Sequence, residues 1–188
     1  MDLVWDVEPA SWSADGDTWT VTAAAGTDCF IDPAGTTTVL NGARALIIAP
    51  DGPWQFWARV SVEFKGMYDA GVLMLWADDR RWAKLCFERS PQGAPMVVSV
   101  ITRDVSDDAN AWVVDSNTTW LRISHLGDGV YAFHAGDDGV RWEFVRYFHL
   151  GPAKVGIEVQ APVGEGCTAT FANLTLVSER LSDLRDGS

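Results

Sequence analysis

Residues 68–88 read YDAGVLMLWADDRRWAKLCFE, two apolar runs separated by a charged turn. In the second run, Ala83, Leu85 and Phe87 alternate with Trp82, Lys84 and the other residues of WAKLCFE. A period of two is typical of a β-strand, because successive side chains point to opposite faces of its sheet. The stretch therefore predicts two strands joined by the turn ADDRR. The second strand has one apolar face and one mixed face.

Turn signals recur at short intervals along the whole sequence, among them SADGD, NG, PDGP, LGDG and GDDG. The runs between them have the length of β-strands, and long runs at helical spacing are missing. The 188 residues, 47% of them hydrophobic, are enough for one sizeable core. We therefore predict a single all-β sandwich or barrel domain over residues 1–178, followed by a frayed polar tail at 179–188.

The charge balance narrows the range of partners. Twenty-six acidic and fourteen basic residues give a formal net charge of −12, which repels nucleic acid and anionic membrane surfaces. The N-terminus lacks the pattern of a secretory signal and no apolar run has membrane-spanning length, so we expect a cytoplasmic protein. The three cysteines are far apart without a CxxC pair, which predicts buried free thiols.

Three segments, FWARVSVEFK, WAKLCFE and KVGIEVQ, each combine an apolar face with a polar face. If these strands are neighbours, their polar faces form one surface on which tryptophan rings and short polar side chains bind a ligand. A solvated sheet face is the alternative explanation of the same pattern. The candidate ligand-binding residues are Trp57, Glu63, Asp69, Trp82, Lys84, Glu88, Arg103, Glu158 and Gln160. For Asp69, a turn-capping role is favoured over a place in the groove.

The residues from Asp104 to Thr119 predict a long loop. Its acidic part, with Asp104, Asp107, Asp108 and Asn110, has the oxygen ligands of a calcium site, but an exposed turn is favoured. The histidines at 125, 134 and 149 lack the spacing of a zinc site. We therefore predict neither a metal ion nor another cofactor.

Four segments of the sequence match the motifs of one known family. GTDCF at 26–30 is similar to a Thr-Asp-x-Trp element of that family, with Phe30 in place of the usual Trp. The stretch from FKGMYDAG to LCFE is similar to its Tyr-Asp-x-Ala-Gly strand and the Trp-x-Lys and Glu that follow, and VSVITRDVSD and the hairpin beginning WLRISHLGDG are the other two segments. Over about residues 5–177 the chain thus resembles the DUF1349 family, which is related to a yeast regulation-of-enolase protein and grouped in the concanavalin A-like lectin/glucanase superfamily.

The resemblance implies a jelly roll of two antiparallel sheets, one of them concave, whose concave groove binds a carbohydrate or another small molecule. A second hypothesis is an enzyme that acts on a small molecule, either like a glycoside hydrolase or as an isomerase or cyclase. Glu88 and Glu158 would be its catalytic carboxylates, and Lys84 or Arg103 would act as acid, base or anion holder. The Glu-x-Asp-x-x-Glu pattern of related hydrolases is absent from the sequence. A third hypothesis is a regulatory module that binds another protein. The sequence does not define the oligomeric state.

Overall fold

The computed structural model describes residues 1–188 and consists of sixteen β-strands joined by turns and loops. The chain contains no helix that is long and apolar enough to cross a membrane. The strands are β1 (Val4–Val7), β2 (Ser11–Asp15), β3 (Thr18–Ala23), β4 (Cys29–Ile31), β5 (Thr38–Leu40), β6 (Ala43–Ile47), β7 (Trp54–Glu63), β8 (Ala70–Asp78), β9 (Arg81–Arg89), β10 (Pro95–Arg103), β11 (Val105–Val113), β12 (Thr118–Gly127), β13 (Val130–Gly136), β14 (Glu143–His149), β15 (Lys154–Gln160) and β16 (Cys167–Val177).

Fourteen of these strands form two antiparallel seven-stranded sheets packed as a sandwich. The first sheet has the order β1-β6-β15-β8-β9-β10-β11, and the second has the order β14-β13-β12-β7-β16-β3-β2. The remaining two strands, β4 and β5, form a separate hairpin. The predicted all-β jelly-roll sandwich is confirmed.

The main core lies between the two sheets and follows the alternation of the sequence. Strand β9 contributes Ala83, Leu85 and Phe87, and β7 contributes a matching apolar face that includes Phe56 and Val60. All five side chains are buried. Burial of such side chains stabilises the fold by roughly 1.5–3 kcal/mol for each large one.

A second, smaller apolar cluster lies on the opposite face of the first sheet, which we call the outer face. It includes Val72, Cys86 and Val100 from the sheet and Cys29 from the β4–β5 hairpin. The backbone amide of Ile31 in this hairpin donates a hydrogen bond to Ser106 Oγ on β11, at 3.0 Å. The hairpin therefore covers part of the outer face, and β9 is buried on both of its sides.

The close approach of the two sheets explains one glycine of the YDAGV motif. A Cβ atom on Gly71 of β8 would lie 2.7 Å from the Val60 side chain and 3.0 Å from Ala169 Cβ in the second sheet. Only a residue without a side chain fits between the sheets at this position.

The prediction that residues 104–119 form a long loop is wrong for most of that segment. Strand β11 pairs antiparallel with β10 through residues 105–113 and forms one edge of the first sheet. Its side chains are mostly exposed, and an edge strand of this kind lacks the apolar alternation by which strands are recognised. Asp104 begins the segment with a positive φ of 66°, in a tight turn.

The C-terminal residues contact the second sheet instead of fraying. Leu181 is buried, and the Nε2 atom of His134 on β13 lies 2.9 Å from the carbonyl oxygen of Leu184. Arg122 on β12 also donates a hydrogen bond to the carbonyl of Gly187. The three cysteines are buried free thiols, as predicted.

Candidate functional site

A cavity of about 260 Å³ opens on the outer face of the first sheet, beside the β4–β5 hairpin. Two buried side chains, Lys84 and Gln160, lie inside it, and the exposed residues Tyr68 and Asp108 lie at its mouth. Its lining residues are Asp28, Phe30, Tyr68, Lys84, Glu88, Val100, Asp108 and Gln160. We call this space the outer-face cavity.

The strand register brings two of the lining residues together. Glu88 on β9 and Gln160 on β15 both lie opposite the small residue Ala70 on β8. Ala70 itself is completely buried and does not line the cavity, whereas the two longer polar side chains on either side of it do.

Lys84 is the central charge of the site. Its side chain is only 2% exposed, and Nζ donates hydrogen bonds to Asp28 Oδ1 at 3.0 Å and to Gln160 Oε1 at 2.7 Å. Burial by itself lowers the pKa of Lys84, but the carboxylates of Asp28 and Glu158 outweigh it and hold that pKa well above its ordinary value. Lys84 is therefore a buried, fully charged ammonium group.

Burial raises the pKa of two glutamates near Lys84, whereas it lowers the pKa of a lysine. Burial raises the pKa of Glu88 to about 8, although the Lys84 charge lowers it in part. Burial likewise raises the pKa of Glu158 to about 7, again against the effect of Lys84. Glu158 is completely buried, and neither of its carboxyl oxygens has a hydrogen-bond partner. Carboxyl groups that titrate near neutral pH are common at functional sites.

Tyr68 is held at the mouth of the cavity by a strained turn. Its φ of 64° is unusual for a residue with a bulky side chain. Its amide donates a hydrogen bond to the Arg89 carbonyl at 2.8 Å, and its own carbonyl accepts one from Gln160 Nε2 at 3.0 Å. Asp69 fixes the same turn, since its Oδ2 accepts the amides of Lys65 and Gly66, both at 2.7 Å. Asp69 therefore caps the turn.

The structure brings together four of the nine predicted site residues. Lys84, Glu88 and Gln160 line the cavity. Glu158 lies close enough to Lys84 and Asp28 for its charge to interact with both, but it does not line the cavity. Trp82 is completely buried and stacks on Trp76, with the ring centroids 6.2 Å apart.

Three predicted site residues lie away from the cavity. Trp57 and Glu63 are on β7, which pairs with β12 and β16 in the second sheet. Arg103 is at the end of β10, where Nη2 donates a hydrogen bond to the His149 carbonyl at 2.6 Å. The condition that the three polar-faced strands are neighbours is not met, since β7 lies in the other sheet from β9 and β15. Side-chain alternation defines the faces of a strand but not its neighbours.

Five lining residues were not among the predicted site residues: Asp28, Phe30, Tyr68, Val100 and Asp108. The first three lie in the GTDCF and YDAG motifs that carry the family resemblance. These two motifs could therefore have been used to predict that Asp28, Phe30 and Tyr68 contribute to a site. Asp108 lies in the segment predicted as a loop; the pairing of β11 with β10 places it opposite Val100, which in turn lies opposite Lys84 on β9.

The acidic segment of β11 does not form a cluster of converging ligands. Asp104 pairs with Arg80 at 2.7 Å and Asp107 pairs with Arg146 at 2.8 Å, whereas Asp108 lines the outer-face cavity. No group of three or more His, Cys, Asp or Glu side chains in the structure could hold a metal ion.

A larger cleft, of about 840 Å³, lies at one end of the sandwich among the loops around Gly52, His125 and Gly151. Two of its polar side chains, His125 and Tyr131, contact the loop backbone. His125 Nδ1 lies 2.7 Å from the Gly52 carbonyl, and the Tyr131 hydroxyl donates to the Gly151 carbonyl at 3.0 Å. These groups stabilise the loops, so the smaller outer-face cavity is the better candidate site.

Comparison with known proteins agrees with the fold. The family model described as "Protein of unknown function (DUF1349)" matches residues 5–179. A search of curated proteins gave no match. A functionally unknown protein from Saccharomyces cerevisiae has a TM-score of 0.86 at 24% identity, covering 94% of this chain and 96% of that one.

Two further structures share the fold at lower similarity. A xylan β-1,4-xylosidase from Bacillus halodurans C-125 has a TM-score of 0.67 at 10% identity, covering 82% of this chain and 31% of that one. A legume lectin-like domain from Entamoeba histolytica has a TM-score of 0.58 at 10% identity, covering 94% of this chain and 90% of that one. The fold is thus related to lectin and glycoside hydrolase domains, and this chain spans less than a third of the xylosidase.

Proposed function

This chain belongs to the DUF1349 family, and we propose that its outer-face cavity binds a carbohydrate or a similar polyhydroxylated small molecule. The observation that carries the proposal is the lining of the cavity, which combines carboxyl, amide and ammonium groups with two aromatic rings. Sugar recognition needs both kinds of group, because hydroxyls require fixed polar partners and the CH faces of the ring require flat apolar surfaces.

The size of the cavity and its place in the fold support the same ligand class. At about 260 Å³ it is slightly smaller than the usual range for drug-sized ligands, which suits one sugar ring. The xylosidase and the legume lectin-like domain share the jelly-roll fold. Fold alone does not define function, so the side chains of the cavity carry the argument.

A calorimetric screen of mono- and disaccharides and other polyols against the purified protein tests the proposal. We expect saturable binding of at least one member with one site per chain. Nuclear magnetic resonance would place the largest shift changes on β9, β15 and the residue 65–69 turn. The absence of binding across the panel, or shift changes confined to the end cleft around His125, would contradict the proposal.

Replacing Tyr68 with alanine is expected to weaken binding of the sugar found in the screen by about tenfold, because the ring at the cavity mouth is lost. The alanine also occupies the left-handed region, so the turn itself is retained at similar backbone strain. Calorimetric titration of the variant measures the change.

The matched control for this experiment is Tyr147→Ala, which removes an exposed tyrosine from β14 in the second sheet. We expect this variant to bind the sugar as the unmodified protein does. Equal affinities for all three proteins would show that the Tyr68 ring does not contact the ligand.

One specific observation favours a second candidate function, an enzyme that acts on the bound small molecule. The raised pKa of Glu88, about 8, keeps this cavity-lining carboxyl protonated at neutral pH. A protonated carboxyl at a ligand is a potential general acid. Glu158 does not line the cavity, so its part in such a reaction would be to act on Lys84 and Asp28 through its charge.

If the protein is an enzyme of this kind, Glu88→Gln is expected to lower turnover by roughly 10²-fold or more, since proton transfer contributes 10²–10⁴-fold. Substrate affinity should change much less. Steady-state kinetics on a substrate found among the binding sugars checks the expectation. Unchanged turnover in Glu88→Gln would remove this carboxyl from the reaction, and the exposed Glu63→Gln is the matched control.

A further inference from the structure

The outer-face cavity contains more carboxyl groups than positive charges. Asp28, Glu88 and Asp108 line it, and Lys84 is the only cationic side chain among its lining residues. The hydrogen bonds of Lys84 go to Asp28 and Gln160, and none goes to Glu88. The cavity therefore presents two carboxyl groups, those of Glu88 and Asp108, that are not hydrogen-bonded to its ammonium group.

Glu158 provides an independent observation of the same imbalance. Its side chain is completely buried, and both of its oxygens lack a hydrogen-bond donor. Buried carboxyl oxygens are normally paired, because an unpaired one loses its hydration without compensation. Glu158 is thus a further carboxyl group near Lys84 that has no hydrogen-bond donor, although it does not itself line the cavity.

We propose that the ligand of the outer-face cavity carries a protonated amine, so that amino sugars bind in preference to neutral sugars. The inference rests on the proposed function and names the ligand class of that site. The amine would lie between Glu88 and Asp108, while the ring hydroxyls contact Gln160 and Asp28. Charge-assisted hydrogen bonds from an ammonium to carboxylates are roughly twice as strong as neutral ones.

Two features of the cavity favour an organic cation over a metal ion. The carboxyl groups are spread around the wall, and no three of them could coordinate one ion. Phe30 and Tyr68 also line the same cavity. Aromatic rings attract ammonium groups through their π faces and pack on the CH groups of a sugar ring.

The protonation state of Glu88 should change when an ammonium ligand binds, and this change can be measured. The charged groups that act on Glu88 are Lys84 on its own strand, Asp108 on β11, Asp28 beside β4 and Glu158 on β15. Its carboxyl is protonated at pH 7 in the empty cavity, and an ammonium ligand would favour the ionised form. Binding of an amino sugar should therefore release a proton, whereas binding of a neutral sugar should not.

The test is isothermal titration calorimetry at pH 7 with glucosamine, galactosamine and mannosamine, their neutral parent hexoses and their N-acetylated derivatives. Two buffers of different ionisation enthalpy report the protons released. We expect at least one amino sugar to bind about tenfold or more tightly than its neutral parent and its N-acetyl derivative, with proton release.

Two substitutions and one matched control locate the effect. In Glu88→Gln, the preference for the amino sugar should fall to about twofold or less and proton release should disappear. Asp108→Asn should reduce the preference by a smaller factor, because this carboxyl is at the exposed mouth. Asp107→Asn, one residue earlier on β11, should leave the preference unchanged since Asp107 pairs with Arg146 outside the cavity.

The possible outcomes separate this inference from the proposed function. Neutral and amino sugars that bind equally would overturn the inference and leave the proposed function intact. Propylammonium, an organic cation without hydroxyl groups, is titrated as a further probe. Binding of propylammonium but of no sugar would support a cation site and overturn the carbohydrate proposal. Failure of sugars and propylammonium alike would overturn both.

Discussion

Replacing Lys84 with methionine is expected to lower the free energy of unfolding by about 3–5 kcal/mol at pH 8. Methionine keeps most of the apolar stem but removes the ammonium group that donates to Asp28 and Gln160. The buried carboxylates of Asp28 and Glu158 then lose the charge that compensates them. Loss of one partner from a buried ion pair has a large effect, because the other charge stays away from water and unpaired.

Urea unfolding of both proteins at pH 8 and pH 5 measures this effect. The loss should be smaller at pH 5, where Glu88 and Glu158 are protonated in the folded protein and need no counter-charge. Lys154→Met, at an exposed position on β15, is the control and should change stability by less than about 0.5 kcal/mol. A loss in Lys84→Met no larger than that of the control would show that the carboxylates do not depend on Lys84.

The two-residue alternation of β9 predicted which residues share a face, but Trp82, predicted for the groove, packs on Trp76 and does not line the cavity. Ala83, Leu85 and Phe87 face the core between the sheets, and Lys84 and Glu88 face the cavity. These positions could be predicted because alternation is a local property of the chain. The family resemblance added the jelly-roll fold, which alternation alone does not define.

The composition of the cavity could be predicted only in part, because it depends on contacts between distant segments. Asp28 reaches Lys84 across 56 positions in sequence, and Gln160 reaches it across 76. No pattern in the neighbouring sequence predicts that Asp28 and the β4–β5 hairpin pack over β9. The polar faces of β7 and β9 look alike in sequence, yet the chain topology puts β7 into the other sheet. A strand's face is encoded locally, whereas its neighbours are decided by the whole fold.

The excess of buried carboxyl groups is better explained by function than by stability. An apolar side chain at position 158 would avoid the loss of hydration that two unpaired oxygens suffer. A buried polar group without a partner, in a core that is otherwise well packed and paired, is expected mainly at a functional site. Such groups should therefore decrease the stability of the folded protein at neutral and higher pH, and that effect can be measured.

Glu158→Gln is expected to remove a pH dependence of about 2–3 kcal/mol between pH 5 and pH 8. Burial raises the pKa of Glu158 from 4.5 to about 7 in the folded protein. Between these two values the folded state holds a proton that the unfolded state has released. The stabilising contribution is thus fully present below pH 4.5 and is lost as the pH rises through 7, so the unmodified protein becomes less stable over this range.

The measurement is urea unfolding of the unmodified protein and the variant at half-unit steps from pH 5 to pH 8. Glu88 also titrates in this range, but it is present in both proteins, so the difference between the two curves reports Glu158 together with its charge interaction with Glu88. The variant should gain about 2–3 kcal/mol relative to the unmodified protein as the pH rises. Glu165→Gln, at an exposed position, should follow the unmodified curve. Parallel curves for Glu158→Gln and the unmodified protein would mean that Glu158 stays ionised down to its ordinary pKa, with Lys84 compensating it fully.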